Sequence, residues 1–219
     1  LSMGKMESIV KIVNSENESL KQNLRMLVLT DYIRKVTLSK IGTEESFSDI
    51  SIVSIFETIR RKTNVKNLAI LSGTLVVLPN SLEVDVKIEL GKNAKKVTVK
   101  PIANTEFSEY DFKTSNKEKV AIVGKLFEDG KINIIVGTKS LLGEGWDSPC
   151  INSLIMASFV GSFMLSNQMR GRAIRVFKKD PNKTANIWHL VTLEPENDLN
   201  QKIDCTEESS SDYKTLTRR

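Results

Sequence analysis

Histidine and cysteine are almost missing from these 219 residues, which contain one histidine, His189, and two cysteines, Cys150 and Cys205. A structural zinc site needs four closely spaced Cys/His ligands, and a Ser-His-Asp triad needs a histidine free to exchange protons. His189 instead sits inside the apolar run Ile187-Trp188-His189-Leu190-Val191, where it reads as a satisfied core or edge residue. Two cysteines so far apart in sequence fit reduced thiols in an intracellular, cytoplasmic chain better than a disulfide framework. No apolar run reaches the length of a membrane span, and no compact apolar segment follows a basic start, so neither a span nor a signal peptide is expected.

What is present is ordinary in bulk: 40% hydrophobic and 27% charged residues, enough chain for one generous core plus a small insertion. The net charge of +5 permits a nucleic-acid partner and decides nothing alone.

Five short apolar segments lack alternation, as strands do when helices cover both faces of a parallel sheet. They run over 26–30, 67–71, 132–136, 153–157 and 186–190. Between them lie helical patterns. Ile52, Ile55, Phe56 and Ile59 predict a helix over 49–62. Ser115 with Glu118 reads as a capping box opening a second helix, which Gly130 ends. A third begins near Ser162 and carries Phe163, Leu165, Met169 and Ile174. Strand-helix alternation implies right-handed crossovers in an open α/β sheet.

Residues 76–112 break that rhythm. Val84, Val86, Ile88 and Leu90 alternate with Asp85, Lys87 and Glu89, and Lys96–Lys100 alternates again after Gly91-Lys92-Asn93. The pattern predicts a β-hairpin insertion, exposed on one face and dispensable for the core. The tail over 195–219 is polar and reads as a loop.

Two strings carry chemistry. In Gln168-Met169-Arg170-Gly171-Arg172-Ala173-Ile174-Arg175, helical spacing of four and three puts Gln168, Arg172 and Arg175 on one side. Arginine is the always-charged fork suited to phosphate, and Gly171 permits a close approach to the helix. The second string, Ile134 to Asp147, runs from a buried strand into a turn with Gly137, Gly143 and Gly145. Ligands in open α/β sheets bind beyond such carboxyl ends, where Thr138 offers a hydroxyl and Asp147 a carboxylate.

Together these strings resemble motifs VI and V of superfamily 2 helicases, in order and about twenty residues apart. Gln168, Gly171, Arg172 and Arg175 match Gln-x-x-Gly-Arg-x-x-Arg; Gly137, Thr138, Gly145 and Asp147 match the fifth motif. Leu27-Val28-Leu29-Thr30-Asp31 resembles motif IV, and Leu71-Ser72-Gly73-Thr74 the strand after it. Glu144-Gly145-Trp146-Asp147-Ser148-Pro149 and Ala173-Ile174 are closer to DEAD/DEAH helicases allied to type III restriction subunits, mostly DNA-directed.

The resemblance implies a single RecA-like second motor lobe over 1–219, an α/β sandwich with a mostly parallel sheet, cut from a longer ATP-dependent helicase. Arg175 would be the arginine finger, Arg172 its companion on the phosphates and Gln168 a polar orienter. Gly145 and Asp147 would touch the nucleotide ribose, while Thr30, Gly73, Gly137 and Thr138 would hold nucleic-acid phosphates. ATP and Mg²⁺ would be held mainly by the first lobe. The Gly-Lys pairs at Gly4, Gly91, Gly124 and Gly130 are followed by Met, Asn, Leu and Ile, so none completes a phosphate-binding loop. The implied partners are DNA, the first lobe and a nuclease or restriction subunit. A non-enzymatic RecA-like binding module stands as the alternative. A Rossmann cofactor domain ranks last, since no G-x-G-x-x-G follows the first strand.

Overall fold

Alternation of side chains across one sheet organises the chain. The computed structural model describes residues 2–31, 39–47, 49–140, 146–158 and 163–191. The tail over 195–219, and Gly143 and Gly145 of the glycine-rich turn, lie outside the described residues.

Among these residues eight strands form one sheet: β1 (Met26–Thr30), β2 (Leu68–Leu71), β3 (Val76–Pro79), β4 (Val97–Pro101), β5 (Phe107–Phe112), β6 (Ile134–Thr138), β7 (Ser153–Met156) and β8 (Asn186–His189). Their spatial order is β4-β5-β3-β2-β6-β1-β7-β8. The strands β2, β6, β1, β7 and β8 are parallel neighbours, and they are the five apolar segments read from the sequence. The remaining three pair antiparallel and extend the sheet beyond β2.

Each central strand sends alternate residues into two separate cores. Met26, Val28, Ile70, Ile134 and Ile155 face a core roofed by helices α1 (Ser2–Leu20) and α2 (Ile52–Lys62). Leu27, Leu29, Leu71, Ile135 and Leu154 face the opposite core, covered by α3 (Glu83–Leu90), α4 (Asn116–Glu128) and α5 (Phe163–Ala173). Both faces being apolar explains why these strands show no polar alternation.

Helix ends follow local chemistry. The Ser115 hydroxyl accepts from Glu118 N, giving one half of the expected capping box, while the Glu118 carboxylate accepts from Asn93 Nδ2 instead. A reciprocal box occurs at Ser51 and Ser54, which starts α2 three residues later than the apolar stripe suggested. Gly130 closes α4 with φ +81°, and any side chain there would collide with the Arg25 guanidinium.

Three expectations need correcting. Val84–Leu90 is helix α3, not a strand. A period-two pattern contains i, i+4 pairs as well, and here Val86 and Leu90 are buried while Val84 and Ile88 remain exposed. Ion pairs favour that choice: Glu83 with Lys87 along the helix, and Glu89 and Asp85 with Lys125 and Lys131 outside it. A hairpin does exist in this interval, but it is β4–β5.

The second correction follows from the first. Residues 76–112 are part of the core, since Leu78, Val86, Leu90 and Tyr110 join one cluster, and Val77 and Phe107 the other. Burial pushes the Tyr110 phenol up to about 12. Third, α5 stops at Ala173, so Ile174 is exposed and Arg175 lies beyond the helix.

Helix α1 was not foreseen, because among its described side chains only Ile9 and Val13 of the apolar residues are fully buried amid many polar ones. It is tied to the far edge of the sheet by Glu16, which accepts from Trp188 Nε1 at 2.8 Å and Asn186 Nδ2 at 3.0 Å.

Candidate functional site

Parallel strands aim their carboxyl ends the same way, so Thr30, Leu71, Thr138 and Met156 terminate at one edge. Thr138 is buried and its Oγ1 lies 2.8 Å from the Ser140 hydroxyl, which is exposed. Gly137 is buried within β6, between Leu29 and Leu71. Gly73 sits in a turn that Ser72 closes, its hydroxyl accepting from Leu75 N at 2.9 Å, and the Gly73 carbonyl accepts from Lys119 Nζ. Thr30 departs from its expected role: it is fully buried, and its hydroxyl donates to the Ile50 carbonyl at 2.8 Å. In this arrangement it is a structural tie between β1 and the start of α2.

A group that sequence reading passed over lies at the same edge. Lys139, whose side chain is only 8% exposed, donates to Asp31 Oδ2 at 2.6 Å, and Ser158 donates to the same oxygen at 3.1 Å. The pair clasps the ends of β1, β6 and β7 together. The signal was a lysine directly after a strand-end threonine, visible in sequence but without its acidic partner.

The second half of the site is made by two arginines converging on one dipeptide. Arg172, on α5, donates through Nη1 to the Trp146 carbonyl, and Arg175 Nη1 pairs with the Asp147 carboxylate. The expected common helical face is therefore replaced by a tertiary convergence, since Arg175 reaches back from the turn after α5. Both members of the Arg175–Asp147 pair are about half exposed (53% and 49%), so the guanidinium is accessible and weakly held. Gln168 is exposed on α5, and space above Gly171 is open.

Trp146 anchors this dipeptide. It is buried, packs against Phe127 at 6.2 Å between ring centroids, and brings its indole nitrogen against Gly124 of α4. A Cβ at position 124 would stand 2.8 Å from that nitrogen, so glycine is required for the approach. Beside it opens a cleft of about 380 Å³ lined by Gly124, Lys125, Trp146, Asp147 and Lys179.

His189 accepts from Arg170 Nε at 3.2 Å, joining α5 to β8. Burial disfavours its imidazolium and lowers its pKa below the usual histidine value. The unfolded chain then binds the proton more readily than the folded one. This contribution to stability is complete above about pH 6.5, the unfolded value, and is lost as pH falls through the depressed folded value. Urea unfolding should show lower stability at about pH 5 than at about pH 7.5, and His189→Gln should reduce that difference. An unchanged difference in the variant would assign the pH dependence elsewhere.

Residues 74–177 match the family described as the helicase conserved C-terminal domain. No curated protein sequence matches the chain. Among solved structures, the C-terminal part of the Fun30 ATPase domain is similar at TM-score 0.50 and 16% identity, covering 97% of this chain and 51% of that one. T4 UvsW is similar at TM-score 0.49 and 12% identity (100% and 32% covered), and the Pyrococcus furiosus Hef helicase domain at 0.44 and 17% (84% and 25%). The chain thus spans a quarter to about half the length of these structures. The segment that matches the helicase conserved C-terminal domain is just under half of the chain, and it includes Thr138, Asp147, Arg172 and Arg175.

Proposed function

We propose that this chain is the second motor lobe of an ATP-dependent DNA helicase or translocase, supplying an arginine finger and part of the nucleic-acid track. The observation that carries the reading is the convergence of Arg172 and Arg175 on Trp146 and Asp147. Arg175 is the finger, half exposed and parked on Asp147, and it swings to the γ-phosphate as charge develops there. Asp147, once relieved of Arg175, accepts from the nucleotide ribose, a contact that the motif resemblance implies for Gly145 as well. Arg172 stands behind the finger on the phosphates, and Gln168 orients them. The first lobe supplies the cradle for ATP and Mg²⁺, because no Gly-x-x-x-x-Gly-Lys-[Ser/Thr] occurs in these residues.

Thr138 with Ser140, Gly137 and the Gly73 turn form the track for phosphates at the carboxyl edge of the sheet. Thr30 serves it only as a structural support. Phosphate contacts carry no sequence information, which suits a motor that must move along any sequence. The resemblance of the Glu144–Pro149 segment and of Ala173-Ile174 to restriction-allied helicases favours DNA, with a nuclease subunit as partner.

The test uses the chain alone. It should show no nucleic-acid-stimulated ATP hydrolysis, and its binding to oligonucleotides should be weak, indifferent to sequence, and weaker at higher salt. DNA and RNA oligomers of equal length should be compared, with DNA held more tightly. Turnover that survives contaminant controls, or tight binding without a salt slope, would overturn the assignment.

A further inference from the structure

The insertion brings an unneutralised group of lysines to the sheet edge that carries the motif V threonine. Strand directions fix this placement. β3 runs antiparallel to β2, β5 antiparallel to β3, and β4 antiparallel to β5, so Val97 begins β4 at the edge where Leu71 and Thr138 end their strands. The 3-10 turn Gly91–Lys96 and the N-terminus of α4 therefore sit at that same edge. Two contacts agree: Asn93 Nδ2 donates to Glu118 at 3.0 Å, and Lys119 Nζ donates to the Gly73 carbonyl.

Lys92, Lys95, Lys96 and Lys117 are all exposed there. Lys92 and Lys95 are three apart on a 3-10 turn, so they project along one line. Elsewhere on and around the insertion and α4, Lys100 excepted, surface lysines are matched by carboxylates: Lys87 by Glu83, Lys125 by Glu89, Lys131 by Asp85 and Lys113 by Asp111. Among the described residues the four edge lysines take part in no ion pair within 4.0 Å, and residues 91–105 contain no Asp or Glu. Blunting an exposed edge strand against aggregation accounts for Lys100 and Pro101 on β4. It does not account for lysines on the turn before the strand or on α4.

We propose that Lys92, Lys95, Lys96 and Lys117 form a second phosphate-binding patch that extends the nucleic-acid track from motif V across the insertion. The proposal rests on the track assigned above. Four strand spacings separate β4 from β6, roughly 19 Å. At about 3.4 Å of rise per nucleotide of one strand, a duplex covers that distance in five or six base pairs. The patch therefore engages the backbone about half a helical turn from Thr138, with no base contacts.

The experiment is a fluorescence-anisotropy titration of the chain with labelled duplex DNA across a salt series. One duplex of about twenty base pairs spans both sites, and a duplex of about four, closed at one end by a short loop to keep it paired, is too short to do so. In the triple variant Lys92→Gln, Lys95→Gln, Lys96→Gln, the slope of log K against log salt on the long duplex should fall by about 2 to 3, since each phosphate contact contributes about 0.9. Affinity at low salt should drop at least about tenfold, and the short duplex should be almost unaffected. The Lys→Arg triple should keep both slope and affinity, and thermal melts should match for all three proteins.

A Gln triple with the slope of the unmodified chain overturns the patch, as does an Arg triple that behaves like the Gln triple. Thr138→Ala separates this from the underlying track. If it weakens binding while the Gln triple does not, the track stands and the patch falls. If the Gln triple alone weakens binding, the patch stands and the motif V contact is wrong. If no DNA is bound at low salt, both fall.

Discussion

Replacing Arg175 with alanine in the intact motor, first lobe included, should lower nucleic-acid-stimulated ATP turnover by about a thousandfold or more. The effect should appear in kcat, with nucleotide affinity changed far less, because a finger stabilises charge that exists mainly in the transition state. Arg175→Lys should recover little, since a point charge on a flexible stem does not reproduce a planar fork. The structure adds a second expectation. Arg175 rests on Asp147, so Asp147→Asn removes the parking contact while leaving the finger in place. That variant should weaken nucleotide binding through lost ribose contact and retain far more turnover at saturating ATP than Arg175→Ala. Steady-state kcat and KM for the three variants decide it. An Arg175→Ala enzyme with stimulated turnover near the parent's would leave Arg172 and Arg175 as a basic surface and remove the main support for the motor assignment.

The second large effect concerns residues 76–112. Exchanging them for a short Gly-Ser linker should abolish cooperative unfolding, contrary to what their alternating sequence suggested. Removing the segment also removes its own ordering cost, so the argument rests on what the remainder loses. β2 loses its antiparallel neighbour and becomes an edge strand. Phe56, fully buried on α2, loses the Phe107 ring at 5.1 Å in an edge-on contact. On the other face, α4 loses the α3 surface that carries Val86 and Leu90, along with the ion pairs to Lys125 and Lys131. Uncovering large side chains in both cores at once costs several times the roughly 2–5 kcal/mol of a single large-to-small core change, against a total stability of about 5–15 kcal/mol. Circular dichroism and tryptophan fluorescence during urea unfolding are the measurements. A sharp transition near the parent midpoint would show the segment to be a satellite of the core.

Composition and pattern determined the central architecture without help. All five apolar segments became parallel strands, four of them buried on both faces and the fifth, β8, at the sheet edge with Asn186 and Trp188 exposed. The signatures of motifs V and VI were equally legible, because one sets glycines, a threonine and a carboxylate at fixed spacing and the other a glutamine, a glycine and two arginines. What sequence could not determine is how those residues meet. Spacing placed Arg175 on the helical face of Arg172; the helix ends at Ala173, and the arginine reaches its partner through a turn. Thr30 looked available at a strand end, yet the carbonyl of Ile50, twenty residues away, takes its hydroxyl. The period-two run Val84–Leu90 was compatible with strand or helix, since both spacings place apolar residues four apart. Ion pairs with Lys125 and Lys131, and the surface of α4, chose the helix. Local sequence sets what a segment can be, but contacts between segments distant in sequence carry the energy that selects among the options.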